Sequence, residues 1–269
     1  MITEETDLRP EAGTRTILEI RDLSFSYGQK QILSHLSADI RAGEFLCIVG
    51  PSGAGKTTLL QCLAGLRRPT KGGVFLKGSE VVEPPAEMAV VFQDYSRSLM
   101  PWLTARDNIT LPLRSAGIPR KERNARAEQA LKEVGLEGSG AMYPWELSGG
   151  MQQRVAIARA LAYKPSVVIM DEPFASVDAQ TRADLEDLTL QVKEHLGITI
   201  VLVTHDIDEA VYLSDRVLVL SGKPASVADI ISVDLGTERD QISTKERPEF
   251  GGLRSQIYRL IRRVQDEPK

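Results

Sequence analysis

The stretch Phe45–Thr58, "FLCIVGPSGAGKTT", decides the fold class of this chain. Its first part, "FLCIV", has the length and the apolar composition of a buried β-strand. A glycine-rich turn comes next, and "TTLLQCLAGL" then has the apolar spacing of a helix. A strand, a turn of the form G-x-x-x-x-G-K-T and a helix in this order predict a loop that binds phosphate through backbone N–H groups and the helix N-terminus.

The lysine and the threonine of this loop have separate predicted tasks. Lys56 reaches the terminal phosphates of a nucleotide, and the Thr57 hydroxyl ligates a magnesium ion. A glycine-rich turn without any ligand is the alternative, but the bare pattern arises by chance in on the order of 1% of chains this long. The predicted cofactor-binding residues of the loop are Gly50, Pro51, Ser52, Gly53, Ala54, Gly55, Lys56, Thr57 and Thr58.

An acidic pair follows another buried strand, at "VVIMDEP", Val167–Pro173. Ligands of open α/β sheets bind at the carboxyl ends of the strands, where Asp171 and Glu172 are expected to lie. We expect Asp171 to hold the hydrated magnesium ion and Glu172 to orient or deprotonate the attacking water. An acidic pair in a solvated loop is the alternative, and the phosphate-binding loop makes it the weaker one.

The rest of the chain predicts an α/β core with a mainly parallel sheet, because short β-branched runs alternate with longer helical patterns. From about Trp102 to Lys164 the pattern is helical, with proline and glycine breaks, which predicts a helical subdomain inserted into the core. The tail from Phe250 has apolar residues at helical spacing and is expected to dock on the core. The predicted strands are 17–20, 45–49, 88–92, 167–171, 199–203 and 216–220.

Composition and charge exclude several classes of partner and site. Among 269 residues, 33 basic side chains face 37 acidic ones, so no broad cationic surface for nucleic acid is expected. The longest apolar runs, such as "VVIM", fall far short of the roughly 18 residues that span a bilayer. The polar, acidic start "MITEETDLRP" is unlike a secretory signal, which predicts a cytoplasmic protein. Cys47 and Cys62 lie in apolar runs and are expected to be buried rather than metal-bound.

A second phosphate-binding pattern occurs at "ELSGGMQQR", Glu146–Arg154. Ser148, Gly149 and Gly150 lie at the predicted start of a helix, where a hydroxyl and unobstructed N–H groups can bind an anion. An ordinary N-cap at Ser148 is the alternative interpretation. One nucleotide hardly needs both patterns in the same chain.

Together these motifs resemble the ATP-binding-cassette (ABC) ATPase family, over about residues 17–235. The resemblance rests on the order of an aromatic residue, the phosphate loop, a glutamine, "LSGGM", "VVIMDEP", "SVD" and a histidine. It implies a P-loop NTPase core with an N-terminal antiparallel β part and an inserted helical subdomain, and ATP and Mg²⁺ as cofactors. The implied division is a tail at 1–16, an ATPase domain at 17–245 with the subdomain at about 97–165, and a helical tail at 246–269.

The family's head-to-tail dimer answers why one chain has two phosphate-binding patterns. In that arrangement Ser148, Gly149 and Gly150 cap the γ-phosphate of the ATP that the partner chain binds. The family's commonest signature has glutamine where this chain has Met151, a departure that leaves the phosphate-contacting positions unchanged. The resemblance therefore implies a second ATPase subunit, most simply an identical copy.

The other site residues carry over from the family one position at a time. Tyr27 matches the aromatic residue that stacks on adenine, and Gln93 matches the glutamine that senses magnesium and the attacking water. Asp178 matches an inter-subunit aspartate, although it also suits a helix N-cap. His205 matches the switch histidine at the γ-phosphate, although a lone histidine at a strand end is often structural. The implied catalytic residues are Glu172, His205, Gln93 and Lys56, and the implied metal ligands are Thr57, Gln93 and Asp171.

The segment "VFQDYSRSLMPWLTARDNI" together with "LSGGMQQR" resembles the nitrate, sulfonate and taurine import branch of the family. That branch implies separate permease subunits, a position at the cytoplasmic face of the inner membrane and, indirectly, a solute-binding protein. Five residues are expected to form the groove that binds the permease. They are Tyr95, Leu99, Met100, Pro101 and Trp102. The alternative is that these residues belong to the core of the helical subdomain.

Two other classes of protein are weighed against the importer subunit. A cytosolic ABC ATPase of iron–sulfur assembly or repair would share every catalytic motif, so the motifs alone leave it open. A GTPase or a small-molecule kinase on the P-loop fold is disfavoured, because the chain has no N-K-x-D guanine motif and neither class explains "LSGGM".

Overall fold

A computed structural model describes residues 15–93 and 98–266, the last two as backbone only. A six-stranded sheet forms its centre. The strands pair in parallel except at one edge, where the last strand runs antiparallel to its neighbour. In spatial order they are β10 (Val227–Ser232), β9 (Arg216–Leu220), β3 (Phe45–Val49), β8 (Thr199–Val203), β7 (Val167–Asp171) and β6 (Met88–Val91).

A separate antiparallel sheet precedes and follows the phosphate-binding segment in the chain. Its four strands lie in the order β2 (Lys30–Arg41), β1 (Thr16–Tyr27), β4 (Lys71–Leu76) and β5 (Ser79–Glu80). This sheet confirms the N-terminal antiparallel part. The sequence pattern located only the first residues of β1 and missed the other strands.

Each face of the central sheet has its own hydrophobic core, because successive side chains of a strand point to opposite faces. Phe45, Cys47 and Val49 face one core, which they share with the helical subdomain. Leu46 and Ile48 face the other, which they share with the antiparallel sheet. The strand is buried on both sides, as its uninterrupted apolar sequence predicts for a parallel sheet.

Helices cover both faces of the sheet. Those of the core are α1 (Lys56–Leu63), α5 (Ala179–Leu196), α6 (Ile207–Leu213) and α7 (Pro248–Asp266). Between β6 and β7 the chain forms α2 (Ala105–Ser115), α3 (Arg120–Glu133) and α4 (Gly149–Leu161), with 3₁₀ turns at Ser139–Ala141 and Pro144–Glu146. The inserted helical segment is therefore confirmed, and no strand occurs between residues 102 and 164.

The tail helix docks on the core as its apolar spacing predicts. Ile257 and Phe250 are buried in the same core as the helical subdomain, and Leu253 packs against it. Cys47 and Cys62 are both buried free thiols, which also confirms their expected role as small apolar side chains. Within the described ranges, no helix combines the length and the apolarity needed to cross a membrane.

Central-strand packing should dominate the stability of the core. Leu202 of β8 is fully buried, whereas Leu196 at the end of α5 is 41% exposed. We expect Leu202→Ala to lower the free energy of unfolding by about 2–5 kcal/mol, because it leaves a cavity between well-packed strands. The matched variant Leu196→Ala should cost under about 1 kcal/mol. Urea denaturation of both variants without nucleotide checks this, and equal losses would contradict the assignment of the core.

Candidate functional site

Several of the predicted nucleotide-binding residues line one cleft at the carboxyl ends of the parallel strands. The cleft has a volume of about 620 Å³. The phosphate loop follows β3, the acidic pair ends β7 and the histidine follows β8. The residues lining it are Tyr27, Ile32, Ser52, Gly53, Gly55, Lys56, Thr57, Thr58, Glu172 and His205.

The phosphate loop turns sharply into α1 at Gly55, which is the N-cap of the helix. Gly55 has a φ of +83°, and a Cβ atom there would lie 2.7 Å from Ile32 Cγ2. Both the left-handed backbone and this close approach require glycine. Because α1 begins at the next residue, its unpaired N–H groups open into the cleft.

Lys56 lies almost buried at the floor of the loop. Its ammonium group donates hydrogen bonds to the Gly50 carbonyl at 3.0 Å and to the Pro51 carbonyl at 3.2 Å. Burial lowers the pKa of this ammonium group, and the charges of Glu172 and Asp171 oppose the shift. The lysine thus fills its hydrogen-bonding needs from the loop and is placed to exchange these carbonyls for an anion.

Asp171, the last residue of β7, is buried next to the start of α1. The Thr57 hydroxyl lies beside its carboxylate. Burial raises the pKa of Asp171, and the neighbouring Glu172 charge raises it further, whereas Thr57 and Lys56 lower it. Two oxygen groups of the kind that magnesium prefers are therefore neighbours at this end of the sheet.

Glu172 connects two other predicted residues. Its Oε2 atom accepts a hydrogen bond from Gln93 Nε2 at 3.1 Å and lies 3.2 Å from His205 Nδ1. Glu172 has a φ of +43°, an unfavourable value for a residue with a side chain, and such strain is concentrated at functional sites. The backbone N–H of Glu172 donates to the Val203 carbonyl at 2.8 Å, which fixes this conformation.

Tyr27 lies half-exposed at the opposite rim of the cleft. Its ring contacts Phe25 edge-on at 4.9 Å between centroids, and the Arg67 guanidinium lies 5.1 Å from the ring centroid. A tyrosine at a strand end could have been a core residue, but Tyr27 is not one. Part of its ring is therefore open for stacking. Ile32 was missed by the sequence interpretation, because nothing in β2 marks it as a lining residue.

The signature residues lie away from this cleft and do not line it. Ser148 is the N-cap of α4, where its hydroxyl accepts from the Met151 N–H at 3.3 Å. Asp178 is the N-cap of α5 and also accepts from the Thr181 hydroxyl at 2.7 Å. A Cβ atom on Gly150 would lie 2.5 Å from Thr181 Cγ2, so the second glycine is needed for contact between α4 and α5.

The residues expected to bind a permease divide into two groups. Leu99 belongs to the core, which was the alternative interpretation. Trp102 is 69% exposed, so for this residue the core interpretation is wrong. Met100 is half-buried and Pro101 exposed, and Tyr95 lies outside the described residues.

Two other aromatic side chains of the helical insertion were not singled out from the sequence. The rings of Tyr143 and Trp145 stack at 4.5 Å between centroids, and Trp145 is 65% exposed. The Ala105 N–H donates to the Met142 carbonyl at 2.8 Å, which joins the segment that follows Trp102 to this aromatic pair. The feature of the sequence that could have identified this pair is a tryptophan in a turn that contains proline.

Acidic, histidine and cysteine side chains form no group of three or more that could hold a metal ion, as far as the described residues go. The expected magnesium ligands are of a different kind, because a hydroxyl and an amide side chain are among them. A magnesium ion here would depend on the paired Thr57 and Asp171 oxygens and on the phosphates of the nucleotide.

Comparison with protein families and known proteins gives consistent results. A family profile described as "ABC transporter" matches residues 33–175. The chain is 47% identical over 238 residues to the ABC transporter ATP-binding protein MJ0412 of Methanocaldococcus jannaschii, covering 88% of this chain and 87% of that protein. It is 42% identical to the nitrate transport protein NasD of Klebsiella oxytoca, covering 91% and 94%. It is 43% identical to the nitrate import ATP-binding protein NrtC of Synechococcus elongatus, but spans only 36% of that protein.

Solved structures share the fold. One is cbiO1 from Clostridium perfringens, described as part of the ABC transporter complex cbiONQ, with a TM-score of 0.74 and 29% identity, covering 81% of this chain and 89% of that one. Another is the dimeric ATP-binding cassette MJ0796 bound to ADP and Pi, with a TM-score of 0.70 and 33% identity, covering 81% and 99%. The α/β core, the antiparallel sheet and the helical insertion are thus those of a known cassette fold. The chain belongs to the ABC transporter family and is one of its ATPases.

Proposed function

We propose that two copies of this chain bind two MgATP molecules between them and that hydrolysis powers import of a small anion through a separate permease. The cleft supports nucleotide binding, since a phosphate loop, the Glu172 carboxylate and an aromatic ring line one cavity. The observation that carries the proposal is that the signature residues lie outside this cleft. A second copy must supply them if they act on the same nucleotide.

Phosphate and metal binding depend on the floor of the cleft. Lys56 and the N–H groups at the start of α1 would hold the terminal phosphates. The Thr57 hydroxyl, Asp171 and Gln93 would hold magnesium, whose charge offsets that of the transferred phosphoryl group. The proximity of Thr57 to Asp171 supports this assignment, because both side-chain oxygens are suitable magnesium ligands.

Water activation falls to Glu172. Its carboxylate contacts Gln93 on one side and His205 on the other, so it is oriented by two groups from different strands. In this position it would accept the proton of the attacking water or orient that water. His205, next to the carboxylate, would sense the terminal phosphate and report its presence to the interface.

The helix that begins with the signature residues, α4, would allow a second copy to complete the site. Ser148 is exposed and starts α4, whose N-terminal N–H groups are therefore available to an anion outside this chain. Gly150 ties this helix to α5 and its N-cap Asp178, which would place Asp178 at the same interface. The related cassette MJ0796 forms a dimer, which supports this arrangement.

Nitrate or a chemically similar anion is the proposed solute. The relatives NasD and NrtC are named as nitrate transport or import proteins. In such a system the chain would lie at the cytoplasmic face of the inner membrane, bound to permease subunits that receive solute from a binding protein. The cytosolic iron–sulfur alternative finds no counterpart among these relatives.

An aromatic surface formed by Trp102, Tyr143 and Trp145 is the proposed permease contact. Exposed tryptophan at this level is unusual on a soluble monomer and common at protein interfaces. The hydrogen bond from Ala105 to Met142 holds both parts of this surface on the helical subdomain. Movement of that subdomain would therefore pass directly to the permease.

Complementation between two inactive variants tests the shared site. Lys56→Ala removes the charge that holds the phosphates, and Ser148→Arg blocks the anion site offered to the partner, so each variant alone should lack ATPase activity. Mixed dimers keep one site with both halves intact. With random pairing at equal amounts, phosphate release should recover to about a quarter of the wild-type rate.

The same experiment has a clear negative result. Mixtures that stay inactive at every ratio would contradict a site built from two copies. Normal turnover by Lys56→Ala alone would refute the assignment of the phosphate loop. Nucleotide binding by isolated Ser148→Arg chains, measured by fluorescence titration with an ATP analogue, serves as the folding control.

Permease binding can be tested at the aromatic surface. Trp102→Asp should abolish co-purification with the co-expressed permease, because a charge replaces the exposed aromatic contact. Ile242→Asp is a matched control, since Ile242 is also 69% exposed and lies in a different turn. If Trp102→Asp still co-purifies as well as the control, this surface is not the permease contact.

A further inference from the structure

The loop that carries His205 is closed by a ring of hydrogen bonds through a buried carboxyl group. The Thr204 hydroxyl donates to Glu209 Oε2 at 2.8 Å and accepts from the Asp206 N–H at 3.0 Å. Asp206 Oδ1 in turn accepts from the Glu209 N–H at 3.2 Å. We call Thr204, Asp206 and Glu209 the His205 ring. It fixes the backbone on both sides of His205.

His205 depends on this ring for its position. Its side chain is 65% exposed, and within the described part of the chain its one ion-pair contact is Glu172 Oε2. A side chain with so few contacts takes its placement from the backbone that carries it. Thr204 is 1% exposed and Glu209 is 6% exposed, so two of the three ring residues are closely packed, and Asp206 is half-buried.

The charge around Glu209 is unfavourable for a carboxylate. The carboxylates of Glu186 and Asp206 repel a negative charge on Glu209, whereas the Arg182 guanidinium of α5 attracts it. The Cys47 thiol of β3 is also close by. Burial raises the pKa of Glu209 to about 8, with Glu186 and Asp206 adding to the rise and the Thr204 hydroxyl and Arg182 opposing it. Near pH 7 the group is therefore largely a neutral acid that accepts from Thr204.

Stability alone does not explain this residue. Glu209 Oε1 has no hydrogen-bond partner within the described residues, and an unpaired buried oxygen destabilises the fold. An apolar side chain of similar size would avoid that cost. A residue kept in spite of its cost to stability is expected where function needs it.

We propose that Glu209 is a positioning residue of the ATPase site: through Thr204 it fixes the backbone around His205 and so sets the imidazole beside Glu172. The inference rests on the proposed function of His205 and Glu172. Glu209 does not line the cleft and acts only through the ring.

Substitutions at Glu209 separate positioning from folding. Glu209→Gln keeps an acceptor for Thr204 and should retain kcat at pH 7, whereas Glu209→Leu removes it and should lower kcat by about 10–100-fold, since misplacement by 1 Å has effects of this size. The KM for ATP should change much less. Glu186→Leu removes another buried acid outside the ring and should keep kcat.

Coupling to His205 is the sharpest readout. His205→Ala should lower kcat at least as much as Glu209→Leu, and adding Glu209→Leu to His205→Ala should cause no further loss. Additive losses, or wild-type kcat in Glu209→Leu, would overturn the inference. So would an equal loss of kcat in Glu186→Leu, because the effect would then be general destabilisation.

The pH dependence of thermal stability tests the ring without any activity assay. In the unfolded chain Glu209 ionises at its ordinary pKa, whereas in the folded protein Glu209 keeps its proton up to about pH 8. Between these two pH values the folded state therefore binds more protons than the unfolded state. The free energy of unfolding should then fall as pH rises from about 5 to about 8, and Glu209→Gln should lack this part of the fall.

The Tm advantage of Glu209→Gln over wild type should accordingly grow across this range. A constant Tm difference would show that Glu209 is already ionised at low pH and would refute its role as a neutral acceptor. A wild-type chain without ATPase activity would refute the proposed function instead, and the Tm series would still decide whether the ring holds a neutral acid.

Discussion

The functional cleft depends on the parallel alignment of β3, β8 and β7. Ile48 of β3 and Asp171 of β7 both pair with Val203 of β8, so the three strands end at the same edge of the sheet. The phosphate loop, the acidic pair and the histidine, far apart in sequence, are brought together by this register alone. The Glu172 N–H extends the ladder by one hydrogen bond to Val203 and holds the carboxylate toward Gln93 and His205.

The charges of the cleft support the proposal that it binds a nucleotide together with a second chain. Burial disfavours the charged forms of Lys56 and Asp171, which lowers the pKa of one and raises that of the other. A polyphosphate with magnesium would pair with both and relieve this cost. The exposed start of α4 has further N–H donors and does not line the cleft of its own chain. In the proposed dimer, nucleotide would be the group that two half-sites share.

Local pattern predicted the parts of the fold that are apolar and regular. The five parallel strands of the central sheet and the helix of the phosphate loop were found because burial leaves continuous apolar runs. The antiparallel edge strand β10 was missed, because most of its residues are not buried. The strands β2 and β4 were missed, since they lie in a sheet with mixed polar and apolar positions and register irregularities. The ring around His205 was beyond the sequence, because the burial of Glu209 and its contact with Thr204 arise only from packing against β3 and α5. The roles of Ser148 and Asp178 across an interface stay predictions.

The central claim, that uncleaved ATP holds two copies together, is tested most directly with Glu172→Gln. This variant keeps the size of the side chain but removes the proton acceptor, so phosphate release should fall by at least ~100-fold while nucleotide binding survives. Light scattering should then show dimers with ATP and monomers with ADP, because only the γ-phosphate bridges the phosphate loop and the opposing signature. Wild type and variant are measured with ATP alone, with ATP and magnesium, and with ADP. A Glu172→Gln chain that hydrolyses ATP normally, or one that is inactive yet stays monomeric with ATP, would contradict the account.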